Sequence, residues 1–115
     1  MGITLYYNPH CSKSRRALEL IRGRGIEPHV VEYLKDPPSA EELAKLLVLL
    51  GMQPRQLIRR NEADYRDAGL DDLSLGNDEL IRAMVLHPRL IERPIVVAGR
   101  RAVLGRPPEK VLEIL

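Results

Sequence analysis

The first third of the chain constrains the fold more than any other stretch. Ile3-Thr4-Leu5-Tyr6-Tyr7 has the length and residue types of a short strand, so residues 3–7 are predicted as one. After the turn-forming Asn8-Pro9-His10, the spacing of Ala17, Leu18 and Ile21 predicts a helix over 12–22, ended by Gly23 and Gly25. Residues 28–34, Pro-His-Val-Val-Glu-Tyr-Leu, then read as a second strand. Strand, helix and strand within about thirty residues is the size of a βαβ unit, whose crossover makes the two strands parallel.

Lys35-Asp36-Pro37-Pro38 breaks the pattern, and Ser39 with Glu42 three residues later has the form of a capping box. Leu43, Leu46, Leu47 and Leu50 form an apolar stripe at helical spacing, closed by Gly51. Pro54 can open a short helix carrying Leu57 and Ile58, and a less ordered acidic stretch is expected from Glu62 to Leu75. Asn77 or Asp78 can cap a further helix with Leu80, Ile81, Met84 and Val85 inward, stopped by His87-Pro88. Pro94–Ala98 reads as a β-branched strand, Gly99-Arg100 as a tight turn, and Arg101–Leu104 as its hairpin partner. A last helix starts near Pro107-Pro108, with Val111, Leu112 and Leu115 inward. This order is met most simply by an α/β fold: one mixed four-stranded sheet, βαβ then ββα, with helices on its faces. A single domain over 1–115 is expected, with a helical insertion at roughly 39–91.

Composition narrows the function. Apolar residues make up 44% of the 115, which suits a globular protein with a real core. No window is long and apolar enough for a membrane span, and no secretory signal is visible at the N-terminus. One cysteine cannot form an internal disulfide, so cytoplasm is the expected location. Net charge is +2, and arginine supplies fourteen of the eighteen basic residues. Nucleic-acid binding is disfavoured: there is no basic run and no Phe or Trp for base stacking.

Cys11 falls where the first strand turns into the first helix. The leading N–H groups of a helix lack partners within it, and its dipole places partial positive charge there. That field favours thiolate over thiol and can bring the pKa from about 8.5 into roughly 3.5–7.5. Lys13, Arg15 and Arg16 add cations within about one turn. Against this stands a lone cysteine packed as a small hydrophobe. Cys11-Ser12-Lys13-Ser14 has the C-x-x-S form, so an oxidised Cys11 must pass its state to an external thiol. Asn8 can orient the loop through backbone bonds, and His10 reads as a turn residue beside the thiol. With only His29 and His87 elsewhere, no metal site is expected. Arginine suits tetrahedral oxyanions, because its planar fork binds bidentately. Arg59, Arg93 and Arg106 sit where no helix-dipole argument explains them, either as surface charges or as parts of an anion site.

Together these residues resemble the glutaredoxin-dependent arsenate reductase family, across essentially the whole chain. The carriers are Tyr7–Arg15, Tyr33–Pro38, Leu57–Asn61, His87-Pro88, Arg93–Val97 and Arg106–Glu109. The resemblance implies a thioredoxin-like fold with a helical insertion and a cytoplasmic oxidoreductase of arsenic resistance. It implies no bound cofactor, glutathione as co-substrate, and arsenate and glutaredoxin as partners. Cys11 matches the nucleophile; Arg59, Arg93 and Arg106 match the arginines that hold the oxyanion; Arg93-Pro94 matches a cis peptide bond. Asn8, Ser14 and Arg15 match supporting positions. Tyr7 stands where well-known members have a histidine that acidifies the cysteine, so activation here would lean on the helix N-terminus and Arg15. Gly105 replaces a cysteine found in some members. The rival function is a glutathione-linked thiol oxidoreductase of the same fold without arsenate as its natural substrate. A polymerase-docking regulator is a third option, disfavoured because such proteins carry C-x-x-C.

Overall fold

In the computed structural model, which describes residues 2–115, β1 (Ile3–Tyr7) is a central strand. It pairs in parallel with β2 (His29–Glu32) and antiparallel with β3 (Ile95–Ala98), which pairs antiparallel with β4 (Arg101–Leu104). The sheet order is β2-β1-β3-β4, the mixed four-stranded sheet that the element order predicted. Leu5 is opposite Val30 on one side and Val96 on the other, and it is fully buried. β2 is shorter than predicted: Lys35 and Asp36 both donate their N–H to the Glu32 carbonyl, turning the chain after residue 32.

α1 (Ser12–Gly23) buries Ala17 and Ile21 with Leu5, Val96 and Val111 in one apolar cluster. Each such side chain removed from water contributes about 1.5–3 kcal/mol, less for the alanine. The helix ends where Gly25, at φ 76°, donates to the Arg22 carbonyl at 2.9 Å. That left-handed residue is what glycine supplies without steric cost. The last predicted helix is instead a 3-10 helix, Pro108–Ile114. With three residues per turn, Val111 and Ile114 fall on one side and pack into the cluster, and Leu112 does not join it.

The chain divides into two compact units, Met1–Asp36 together with Arg93–Leu115, and Pro37–Glu92. The second is helical. α2 (Ala40–Leu50) starts at a reciprocal capping box: Glu42 N–H donates to Ser39 Oγ, and Ser39 N–H to Glu42 Oε1, both at 3.1 Å. Leu43, Leu46 and Leu47 are buried, as the stripe predicted, and Gly51 closes the helix. α3 (Pro54–Leu57) follows, then α4 (Ala63–Asp67) and α5 (Asn77–Leu86), which packs against α2 and α3.

Two expectations fail in this unit. The 62–75 stretch is organised: it contains α4, buries Leu70, and is gripped by Arg55. The Arg55 guanidinium donates to Tyr65 Oη at 3.0 Å, the Leu70 carbonyl at 2.8 Å and the Asp72 carbonyl at 3.1 Å. The cap of α5 is Gly76, not Asn77 or Asp78. Glu79 Oε1 reaches back to the Gly76 N–H, while the Asn77 amide turns away to donate to Gln53 Oε1, both at 3.4 Å. Leu80 and Met84 are the buried positions of α5, and Ile81 and Val85 are half-buried. Among the described residues, no helix is long and apolar enough to cross a membrane.

Candidate active site

Residues 8–14 form a loop whose polar groups are tied to one another. The Cys11 N–H donates to the Asn8 carbonyl at 3.0 Å, and the His10 N–H to Asn8 Oδ1 at 2.9 Å. The Asn8 N–H donates to Ser14 Oγ at 3.3 Å, and both residues are buried. Arg15 Nη1 closes the loop from outside on the Pro9 carbonyl, at 3.0 Å. Extended backbone at Cys11 (φ −104°, ψ 120°) gives way to helix at Ser12, so Cys11 is the N-cap of α1.

A sulfur therefore occupies the place where an oxygen usually caps a helix. Partial burial pushes its pKa up, but the Ser14 N–H, the Ser14 hydroxyl, the Arg93 guanidinium and the Lys13 N–H outweigh that and bring it down to about 7. About half of the sulfur is then thiolate at neutral pH, against a few per cent for an ordinary thiol. The cations on α1 act otherwise than their sequence positions suggest. Arg15 holds the Pro9 carbonyl, Arg16 pairs with Glu19 at 3.1 Å and Glu109 at 3.8 Å, and Lys13 contributes through its backbone.

The second half of the site comes from the β3–β4 hairpin. Pairing of Ile95 with Leu104 brings the segments before β3 and after β4 together. Gly105 N–H donates to the Pro94 carbonyl at 2.8 Å, and Arg106 Nε to the Arg93 carbonyl at 3.0 Å. Arg93-Pro94 is cis, as the resemblance implied, and Arg106-Pro107 is also cis. Gly105 is buried because its lack of a side chain lets Pro94 approach. A Cβ there would fall 2.8 Å from Pro94 Cγ and 3.2 Å from Val111 Cγ1. Cys11, Ser14, Arg93 and Arg106 thus belong to one connected set of contacts.

Arg59 lies in the other unit. Its backbone N–H donates to the Leu90 carbonyl at 2.6 Å, beside an antiparallel bridge between Ile58 and Ile91. Its Nε donates to Glu62 Oε1 at 3.3 Å, and Nη1 is 3.7 Å from Glu92 Oε2. Neither carboxylate was anticipated, although an arginine and a glutamate three residues apart are a visible pairing signal. Among the described residues, no cluster of three or more His, Cys, Asp or Glu is arranged to hold a metal.

A family model described as the ArsC family matches residues 6–114. The chain belongs to the ArsC family. It is 51% identical over 114 residues to the uncharacterized protein YfgD of Escherichia coli K12, covering 98% of this chain and 96% of that one. It is 50% identical over 114 residues to an arsenate reductase of Escherichia coli, covering 99% of this chain and 81% of the relative. The solved arsenate reductase from Vibrio cholerae superposes with a TM-score of 0.97 at 49% identity, covering 100% of this chain and 98% of that one. The fold of this ArsC-family chain is thioredoxin-like.

Proposed function

We propose that this chain reduces arsenate to arsenite, with Cys11 as the nucleophile and glutathione and glutaredoxin as the reductants. The observation that carries the reading is the Cys11 sulfur, held at a pKa of about 7 with Arg93 against it and Arg106 anchored on the Arg93 carbonyl. A relative half identical over nearly the whole chain is named an arsenate reductase, which gives the anion its identity.

The chemistry follows from these groups. The arginines hold the arsenate oxygens, and their fixed charge stabilises the negative charge that builds there during attack. The Cys11 thiolate forms a sulfur–arsenic bond and an arsenate oxygen leaves as water. Glutathione displaces a second oxygen in the same way. A glutaredoxin thiolate then attacks the glutathione sulfur; the new disulfide forms as the glutathione–arsenic bond breaks, and its electron pair reduces arsenic from the +5 to the +3 state. Water releases arsenite from Cys11. Asn8, Ser14 and Arg15 keep the loop in shape, and Pro94 presents Arg93. Arg59 takes the role of a third oxyanion ligand, on the strength of the family resemblance. One domain with a helical insertion and a cytoplasmic location complete the reading.

The second reading is a glutathione-linked thiol oxidoreductase without arsenate as its natural substrate, which would use the same lowered-pKa Cys11 sulfur. Turnover of arsenate against turnover of a glutathione mixed disulfide, both with glutaredoxin present, separates the two. Arsenate turnover that survives Cys11→Ser rejects the mechanism.

A further inference from the structure

In its own unit the Arg59 guanidinium already faces two carboxylates. Glu62 accepts from Nε at 3.3 Å, whereas Glu92, at 3.7 Å from Nη1, lies beyond hydrogen-bond distance. All three side chains are sheltered, with 18% of Arg59, 26% of Glu62 and 21% of Glu92 exposed. The arrangement is built by the backbone. Arg59 N–H donates to the Leu90 carbonyl and Glu92 N–H to the Leu57 carbonyl, so the two residues flank the Ile58–Ile91 bridge. Of the two carboxylates, Glu62 is hydrogen-bonded to the Arg59 guanidinium, while Glu92 meets it through charge alone, at a place assigned to binding an anion. A sheltered guanidinium without any counter-ion would be costly, which is a reason for a carboxylate to stand there.

We propose that Glu92 is the exchangeable counter-ion of Arg59, released when an oxyanion takes the Nη1 side of the guanidinium, while Glu62 holds Nε and fixes its plane. The inference rests on the reading of Arg59 as an oxyanion ligand. Glu92 is then the residue that sets how tightly the anion is held. It competes with the anion for the Nη1 side of the guanidinium. Glu62 is a positioning residue: an arginine side chain has many rotamers, and a fixed Nε removes most of them before the ligand arrives.

Inorganic arsenate binding to the full chain carrying Cys11→Ser, measured by isothermal titration calorimetry, tests this without turnover. Adding Glu92→Gln tightens binding about fivefold, the size of a partly sheltered charge pair, and the gain shrinks as salt is raised. Adding Glu62→Ala weakens binding, and Glu62→Gln, whose amide oxygen still accepts from Nε, recovers it. A purely structural role for Glu92 would weaken binding or leave it alone, and could not tighten it. An unchanged or larger Kd in Glu92→Gln, with Arg59→Ala still weakening binding, overturns the inference alone. Arg59→Ala without effect on Kd overturns the reading of Arg59 and the inference with it.

Discussion

Two helices begin differently. α2 opens on an oxygen cap with reciprocal bonds between Ser39 and Glu42, and it carries Glu41 and Glu42 in its first turn. α1 opens on a sulfur, with no acid in its first turn and Lys13 in place of one. The electrostatic field at a helix N-terminus is the same in kind for both. At α2 the chain's own carboxylates and hydroxyl answer it, and the result is a stable start after Pro37-Pro38. At α1 the field is left to a titratable sulfur, joined by the Ser14 hydroxyl and Arg93, and the result is a thiol whose pKa is brought down to about 7. The contrast teaches that a helix start serves either stability or reactivity, depending on which group is placed at the cap.

Exchanging the cap chemistry breaks the comparison most severely. Cys11→Ser gives α1 an ordinary capping oxygen. Arsenate turnover with glutathione and glutaredoxin should fall by about three orders of magnitude or more, since no sulfur remains to bond arsenic. At pH 6, where the wild-type sulfur is mostly protonated, thermal unfolding should show no loss, and a gain of up to about 1 kcal/mol, because serine is a favoured cap. The wild type carries a dependence on pH that Cys11→Ser lacks. Its sulfur titrates near 7 when folded and higher when unfolded, so the thiolate's stabilisation is complete above the unfolded value and is lost as pH falls through 7. The melting temperature of wild type relative to Cys11→Ser should therefore rise between pH 6 and 9.

Ser14→Ala comes next. It removes the hydroxyl beside the sulfur and leaves the buried Asn8 N–H without its acceptor, so the Cys11 alkylation midpoint moves above 7 and stability falls by about 1–3 kcal/mol. Ser39→Ala tests the other helix. It should cost about 1 kcal/mol in chemical denaturation while leaving the Cys11 alkylation midpoint where it was. The smallest effect is the most pointed. Ser12→Asp gives α1 the acid it lacks, and should stabilise the fold by about 0.3–1 kcal/mol in denaturant titration while making Cys11 slower to alkylate at pH 7. A variant that gained both stability and reactivity would contradict the contrast.

Much of this was legible in residue patterns because the signals were local. The capping box at Ser39 and Glu42, the leucine stripe of α2 and the strand-to-helix step at Cys11 each lie within a few residues, and each formed where the pattern put it. What escaped depends on partners far along the chain. Nothing near residues 62–75 reveals that Arg55 will clamp the Leu70 and Asp72 carbonyls. The cap of α5 was misread because Asn77, a favoured capping residue, is drawn to Gln53, twenty-four positions away. Leu112 was assigned inward on a helical period of 3.6, and the tighter 3-10 turn put Ile114 there instead. At the site, spacing located the cysteine, but the bond from Arg106 to the Arg93 carbonyl needed the β3–β4 register.

The central claim is that Cys11 is about half thiolate at neutral pH, facing groups proposed to bind an oxyanion. Its most direct test is the rate of Cys11 alkylation by iodoacetamide across pH, with and without arsenate. The account predicts a midpoint near 7 and slower alkylation when arsenate is present. A midpoint near that of a free thiol, about 8.5, with a rate indifferent to arsenate, would contradict it.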